Sequence, residues 1–104
     1  MTECMVYITT NSMEEAEIIG RNLVSRKLAA CVNIINNMKS IYHWEGKIET
    51  GEEVIMIAKT KKALVNELIE NVKTLHSYDC PCIVAIPIID GNQDFIKWIR
   101  DETK

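Results

Sequence analysis

A chain of 104 residues, 47 % apolar and 26 % charged, has the composition of one ordinary globular domain spanning 1–104, which excludes a disordered or fibrous chain. Twelve basic against fifteen acidic residues leave a net charge of −3, so bulk electrostatics give no attraction for nucleic acid. No run of 18 apolar residues is long enough to span a membrane, and Met1-Thr2-Glu3-Cys4 lacks the basic flank and apolar core of a leader. We therefore expect a cytoplasmic protein whose four cysteines are reduced.

Met5 to Thr10 is short, apolar and rich in β-formers, and reads as the first strand. Ser12, with Glu15 three residues on, is a capping box that opens a helix. Ala16, Ile19, Leu23 and Val24 form its apolar stripe, and Arg26 and Lys27 suit its negative end. Leu28 to Ile35 is the second strand; Asn36-Asn37 interrupt it as a bulge, and it resumes through Ser40 to Trp44. Cys4 and Cys31 fall within strands as small packing residues. Glu45-Gly46 is a hairpin signal. The third strand runs from Lys47 to Lys59, with a second irregularity expected around Gly51. Thr60 is the expected cap of the second helix, striped by Leu64, Leu68, Val72 and Leu75 with Val65 and Ile69 beside them. Ile83 to Ile89 is the fourth strand; Pro87 removes a ladder donor, so it is expected to be an edge strand or a bulged one, and the topology below favours the edge. Beyond Gly91, a short last helix carries Phe95, Trp98 and Ile99 on one face, with Trp98 read as core or interface.

Two βαβ units joined by a hairpin, with right-handed crossovers, define an α+β, ferredoxin-like fold. It is a four-stranded antiparallel sheet with helices on one face and a short C-terminal helix. Its third and fourth strands are apolar on both faces: Val54, Met56 and Ala58 against Ile55 and Ile57, then Ile83 and Ala85 against Val84, Ile86 and Ile88. Two helices cover one face only. Burying each Ile or Val is worth ~1.5–3 kcal/mol, so the open face calls for self-association. The alternative is that the terminal helix hides it.

Leu28-Ala29-Ala30-Cys31-Val32-Asn33-Ile34, followed by Ser40-Ile41-Tyr42-His43-Trp44-Glu45-Gly46-Lys47-Ile48, resembles the CutA divalent-cation tolerance family. Glu53, Lys59-Thr60, His76-Ser77-Tyr78, Pro81, and Gly91 with Phe95 and Trp98 fall where that family has its further motifs, across nearly the whole chain. The resemblance implies a homotrimer similar in architecture to the PII signalling proteins, with the long second strand pairing between subunits. It also implies a link to tolerance of copper and other divalent ions. Ser77 and Cys82 depart from the family's proline and acidic residue.

Two constellations are candidates for binding. His76, Cys80 and Cys82 lie within seven residues and suit copper, as Cu(I), or another divalent metal ion such as Zn²⁺; the competing reading is two small buried thiols and a surface histidine. Tyr42, Trp44, Lys59, His76 and Tyr78 suit the walls of a ligand cleft between subunits. The competing reading is that Tyr42 and Trp44 simply pack an interface. With two histidines, no nucleophile–base motif and only isolated glycines, we expect neither an enzyme nor an organic cofactor. The functions to distinguish are a trimeric copper-responsive protein, a PII-like module that binds a small anionic metabolite and a protein partner, and a scaffold whose oligomer is the function.

Overall fold

The computed structural model describes residues 3–104; Met1 and Thr2, used above to judge the start of the chain, lie outside the described residues. The elements run β1 (Glu3–Thr10), α1 (Met13–Ser25), β2 (Cys31–Trp44), β3 (Lys47–Lys61), a 3-10 turn at Lys62–Leu64, α2 (Val65–Leu75), β4 (Ile83–Pro87) and α3 (Gln93–Asp101). The sheet order is β2-β3-β1-β4 with every neighbouring pair antiparallel, the ferredoxin-like arrangement. β4 is an edge strand, as Pro87 required, and ends at that residue rather than at Ile89.

Pairing fixes the faces, because residues opposite one another across a ladder project to the same side. Cys4, Val6 and Ile8 pair with Ala85 and Ile83 on one flank and with Thr60, Ala58 and Met56 on the other. Cys4, Val6, Ile8, Met56 and Ala58, with Ala16, Ile19 and Leu23 of α1 and Leu68 and Val72 of α2, form the core; Ile83 packs half-buried against it, whereas Ala85 on the edge strand is exposed. Met5 and Tyr7, flanked by Ile86 and Val84 on β4 and by Lys59 and Ile57 on β3, form the opposite face. There Val84 and Ile86 are each 50 % exposed and Ile35 is 48 % exposed, so α3 does not hide this face. α3 is tied to its end instead, through Arg100 Nε, which donates to the buried Glu3 carboxylate at 3.1 Å.

Several local expectations change. Ser12 Oγ accepts from Glu15 N–H at 3.1 Å, but the Glu15 carboxylate reaches back to Asn11 N–H at 3.5 Å rather than to Ser12, so the box is only half formed. Val24 is exposed and Gly20 is buried in its place, because α1 lies close on β2 there. Leu28 and Ala29 are buried, yet they precede β2. Thr60 does not cap a helix: it is the fully buried end of the β3 core face, and its hydroxyl donates to Leu28 O at 2.7 Å. Gly51 pairs regularly with Ser40, so no second irregularity exists. Leu75 is exposed. On α3 the buried pair is Ile96 and Ile99; Phe95 and Trp98 stack on each other at 5.4 Å and stay exposed, so Trp98 is not core.

The bulge at Asn36-Asn37 positions the site. Ile35 pairs with Ile55 and Met38 with Glu53, so two residues stand opposite Val54 alone, with Asn37 at φ 65°. In a regular strand the three-residue step from Ile35 to Met38 would carry Met38 to the opposite face; the bulge absorbs one residue of that step. With it, Met38, Ser40, Tyr42 and Trp44 share the open face with Cys31, Asn33 and Ile35. Beyond the bulge, β2 and the Lys47–Glu53 part of β3 have no third strand. They form a two-stranded arm closed by Glu45 and Gly46, both at positive φ (51° and 79°) as a type I′ turn demands.

Candidate functional site

The arm, the open face of β1 and the loop from Tyr78 to Cys82 enclose a cleft of about 660 Å³. β1 supplies Tyr7 and Thr9, the arm supplies Met38, Ser40, Tyr42 and Trp44, and β3 supplies Glu53. The loop adds Tyr78, Asp79, Cys80 and Cys82. Glu53 is half-buried and organises the polar part. Its two oxygens accept separately, from Ser40 Oγ at 2.5 Å and from Tyr78 Oη at 2.8 Å. Partial burial first, and then this bond to a carboxylate, hold the Tyr78 phenol well above the ordinary tyrosine value, so it remains a donor. Tyr7 Oη rests against Met38 Sδ at 3.4 Å.

His76 holds the loop in place. One strand residue directs its N–H and C=O to the same side. Thr9 N–H donates to Cys82 O at 3.4 Å, so Thr9 C=O faces the same way, just beyond the end of the β1–β4 pairing. His76 Nε2 meets that carbonyl at 2.7 Å, while Nδ1 accepts from Tyr78 N–H at 3.1 Å. An accepting Nδ1 makes the ring a neutral Nε2–H donor, so the 3.8 Å approach of Glu15 is not an ion pair. Glu15 instead accepts from Ser77 N–H at 3.1 Å. The imidazole is fully buried and packs edge-on to Tyr78, with ring centroids 4.7 Å apart.

Tyr42, Trp44 and Tyr78 therefore come together as the sequence suggested, whereas Lys59 and His76 do not line the cleft. The Lys59 ammonium donates to the Asn33 side chain farther along the open face, and the His76 ring is spent on backbone groups. Tyr7, Met38 and Ser40 were missed. Only pairing across the sheet brings them opposite the loop, and no motif marks them.

The proposed metal set is corrected too. Both thiols lie on the cleft wall and are exposed, while the histidine is buried with both nitrogens engaged. This reverses the picture of buried thiols and a surface histidine, and it also removes His76 as a ligand. Among the described residues no group of three or more His, Cys, Asp or Glu side chains is placed to hold a metal ion. The donor set does not fit a closed metal site within one chain; it leaves two thiols. Partial burial, then Glu53 and Cys80 nearby, push the Cys82 thiol above its usual range, so a metal must displace its proton.

This is the build of a small ferredoxin-like domain with an open cleft on the sheet face away from the helices. The family model for the CutA1 divalent ion tolerance protein matches residues 4–102, and the chain belongs to that family. It is 52 % identical over 98 residues to the divalent-cation tolerance protein CutA of Archaeoglobus fulgidus, covering 94 % of each chain. It superposes on the solved structure of the Thermus thermophilus divalent cation tolerance protein with a TM-score of 0.96 at 42 % identity, covering 98 % of this chain and 99 % of that one. The chloroplastic CutA 1 of rice is 40 % identical over 100 residues, and there the chain spans only 56 % of the relative's length. No helix among the described residues is long and apolar enough to cross a membrane.

Proposed function

We propose that this protein serves divalent-cation tolerance as a homotrimeric binding protein rather than as an enzyme, with a small-ligand cleft at each subunit boundary. The observation that carries this reading is the unpartnered arm. Two-stranded hairpins are marginal in water, yet Ile41 and Ile48 stand 71 % and 70 % exposed on one face of the arm, and Tyr42 and Trp44 are each 46 % exposed on the other. An arm that is apolar on both faces and juts from a sheet whose open face is also apolar fits a closed symmetric assembly. The names of the relatives support the tolerance role. Contact with metal is confined to Cys80 and Cys82, whose softness favours Cu(I) over Mg²⁺ or Ca²⁺.

An anionic metabolite of the kind a PII-like module would bind is disfavoured by the cleft's charge. Glu53 and Asp79 line it, and the one lysine at its wall, Lys39, stands across the ladder from Glu52, another carboxylate. Native mass spectrometry of freshly purified protein tests the proposal. A trimer is expected at micromolar concentration; a monomer or dimer throughout that range overturns it.

A further inference from the structure

The cleft holds a carboxylate, Glu53, that no basic side chain among the described residues pairs with. Glu53 is half-buried and its two hydrogen-bond donors, Ser40 and Tyr78, are neutral hydroxyls. No lysine, arginine or histidine among the described residues forms an ion pair with it. Around this carboxylate the fold collects aromatic rings. All three tyrosines of the chain, Tyr7, Tyr42 and Tyr78, line this one cleft together with Trp44, one of two tryptophans.

We propose that the cleft takes an organic cation, an ammonium or guanidinium head on an apolar body, with the head at Glu53 and against the rings. This rests on the reading of the cleft as a ligand site and names its ligand class. The chemistry selects among the alternatives. An anion would meet two carboxylates, Glu53 and Asp79, against a single basic side chain at the wall, Lys39. A bare metal ion would find two carboxylates and two thiols along the walls but, among the described residues, no cluster of three donors placed to hold it. A neutral apolar molecule would strip water from Glu53 without replacing its counter-charge, which is unfavourable. An organic cation satisfies the carboxylate by a charge-assisted hydrogen bond and meets the negative faces of the rings. Its apolar body covers the rest of a cavity within the usual size range of small-molecule sites.

The test uses three matched probes, benzylammonium, benzyl alcohol and benzoate, titrated calorimetrically into the full chain in its native assembly. Benzylammonium is expected to bind about tenfold or more tightly than benzyl alcohol, with benzoate weakest. Glu53→Gln should abolish the preference for the cation. Trp44→Leu, which keeps apolar bulk but removes a π face, should weaken the cation roughly three- to fivefold and the alcohol little. Equal binding of the three probes, or tightest binding of benzoate, overturns the proposal, as does an unchanged preference in Glu53→Gln. Native mass measured on the same samples reports assembly separately. A trimer that binds no probe overturns the ligand while leaving the assembly standing. A monomer that still prefers benzylammonium supports the ligand and overturns the assembly.

Discussion

His76→Phe separates a structural histidine from a metal-binding one. The substitution keeps an aromatic ring of similar size in a fully buried position but removes both ring nitrogens. Two hydrogen bonds disappear, from Nε2 to Thr9 O at 2.7 Å and from Tyr78 N–H to Nδ1 at 3.1 Å. Each is worth ~1 kcal/mol net, and each buried group left without a partner costs ~1–3 kcal/mol. These contributions overlap, because the Tyr78 amide can relax toward water while the Thr9 carbonyl cannot: Thr9 is 7 % exposed. We expect a loss of about 2–4 kcal/mol. For a domain of this size that lowers the melting temperature by roughly 10–30 °C, compared at matched protein concentration because the proposed assembly would contribute to stability. The loop from Ser77 to Cys82 should also lose amide protection, because His76 joins it to the end of β1. A competitive Cu(I) titration on the same variant should return the parent's affinity. A variant as stable as the parent whose copper affinity collapses would refute the hydrogen-bond assignment and restore His76 as a ligand.

Trp44→Ala should leave the protomer's secondary structure intact, since Trp44 is half-exposed there, yet raise the concentration at which the proposed trimer dissociates in analytical ultracentrifugation; an unchanged dissociation curve contradicts the proposed place of Trp44 at a subunit boundary. If neighbours bury the ring fully, the loss approaches the ~3–5 kcal/mol of a truncated buried aromatic. Tyr78 ionises in the unfolded chain near pH 10 but later in the folded protein, so its contribution to stability is complete below pH ~10 and is lost as pH rises toward the raised folded value. Denaturation curves should fall above that pH in the parent and flatten in Tyr78→Phe; parallel pH profiles contradict the bond to Glu53. Cys80→Ser with Cys82→Ser should weaken Cu(I) binding, and the parent's affinity should rise with pH because the Cys82 proton must leave. Equal affinity of parent and double variant makes both cysteines structural.

The fold was legible because local signals agreed with global ones. Alternation on β1 and β3, a helical stripe on α1, a Glu45-Gly46 turn and a proline at the edge of the sheet all follow from short-range stereochemistry, and together they permit few topologies. The bulge at Asn36-Asn37 was readable for the same reason, because asparagine tolerates positive φ. Thr60 was misread because a threonine before an apolar stripe carries a cap's local signature. Only the tertiary fold brings Leu28 O within 2.7 Å of its hydroxyl and keeps the residue in the strand.

The site was legible only in part. The sequence alone marked Tyr42, Trp44 and Tyr78 by their chemistry and named the family by its motifs. It could not say which aromatic residues share a cavity, because that depends on register across three strands and on the one extra residue that reverses the alternation of β2. Nor could it assign His76, whose imidazole suits a metal as well as a backbone carbonyl. Tertiary structure decided the matter by placing Thr9 C=O beyond the end of β4 with no strand to pair it, so that the nearest donor, the His76 ring, completes the ladder and the thiols are left facing the cleft.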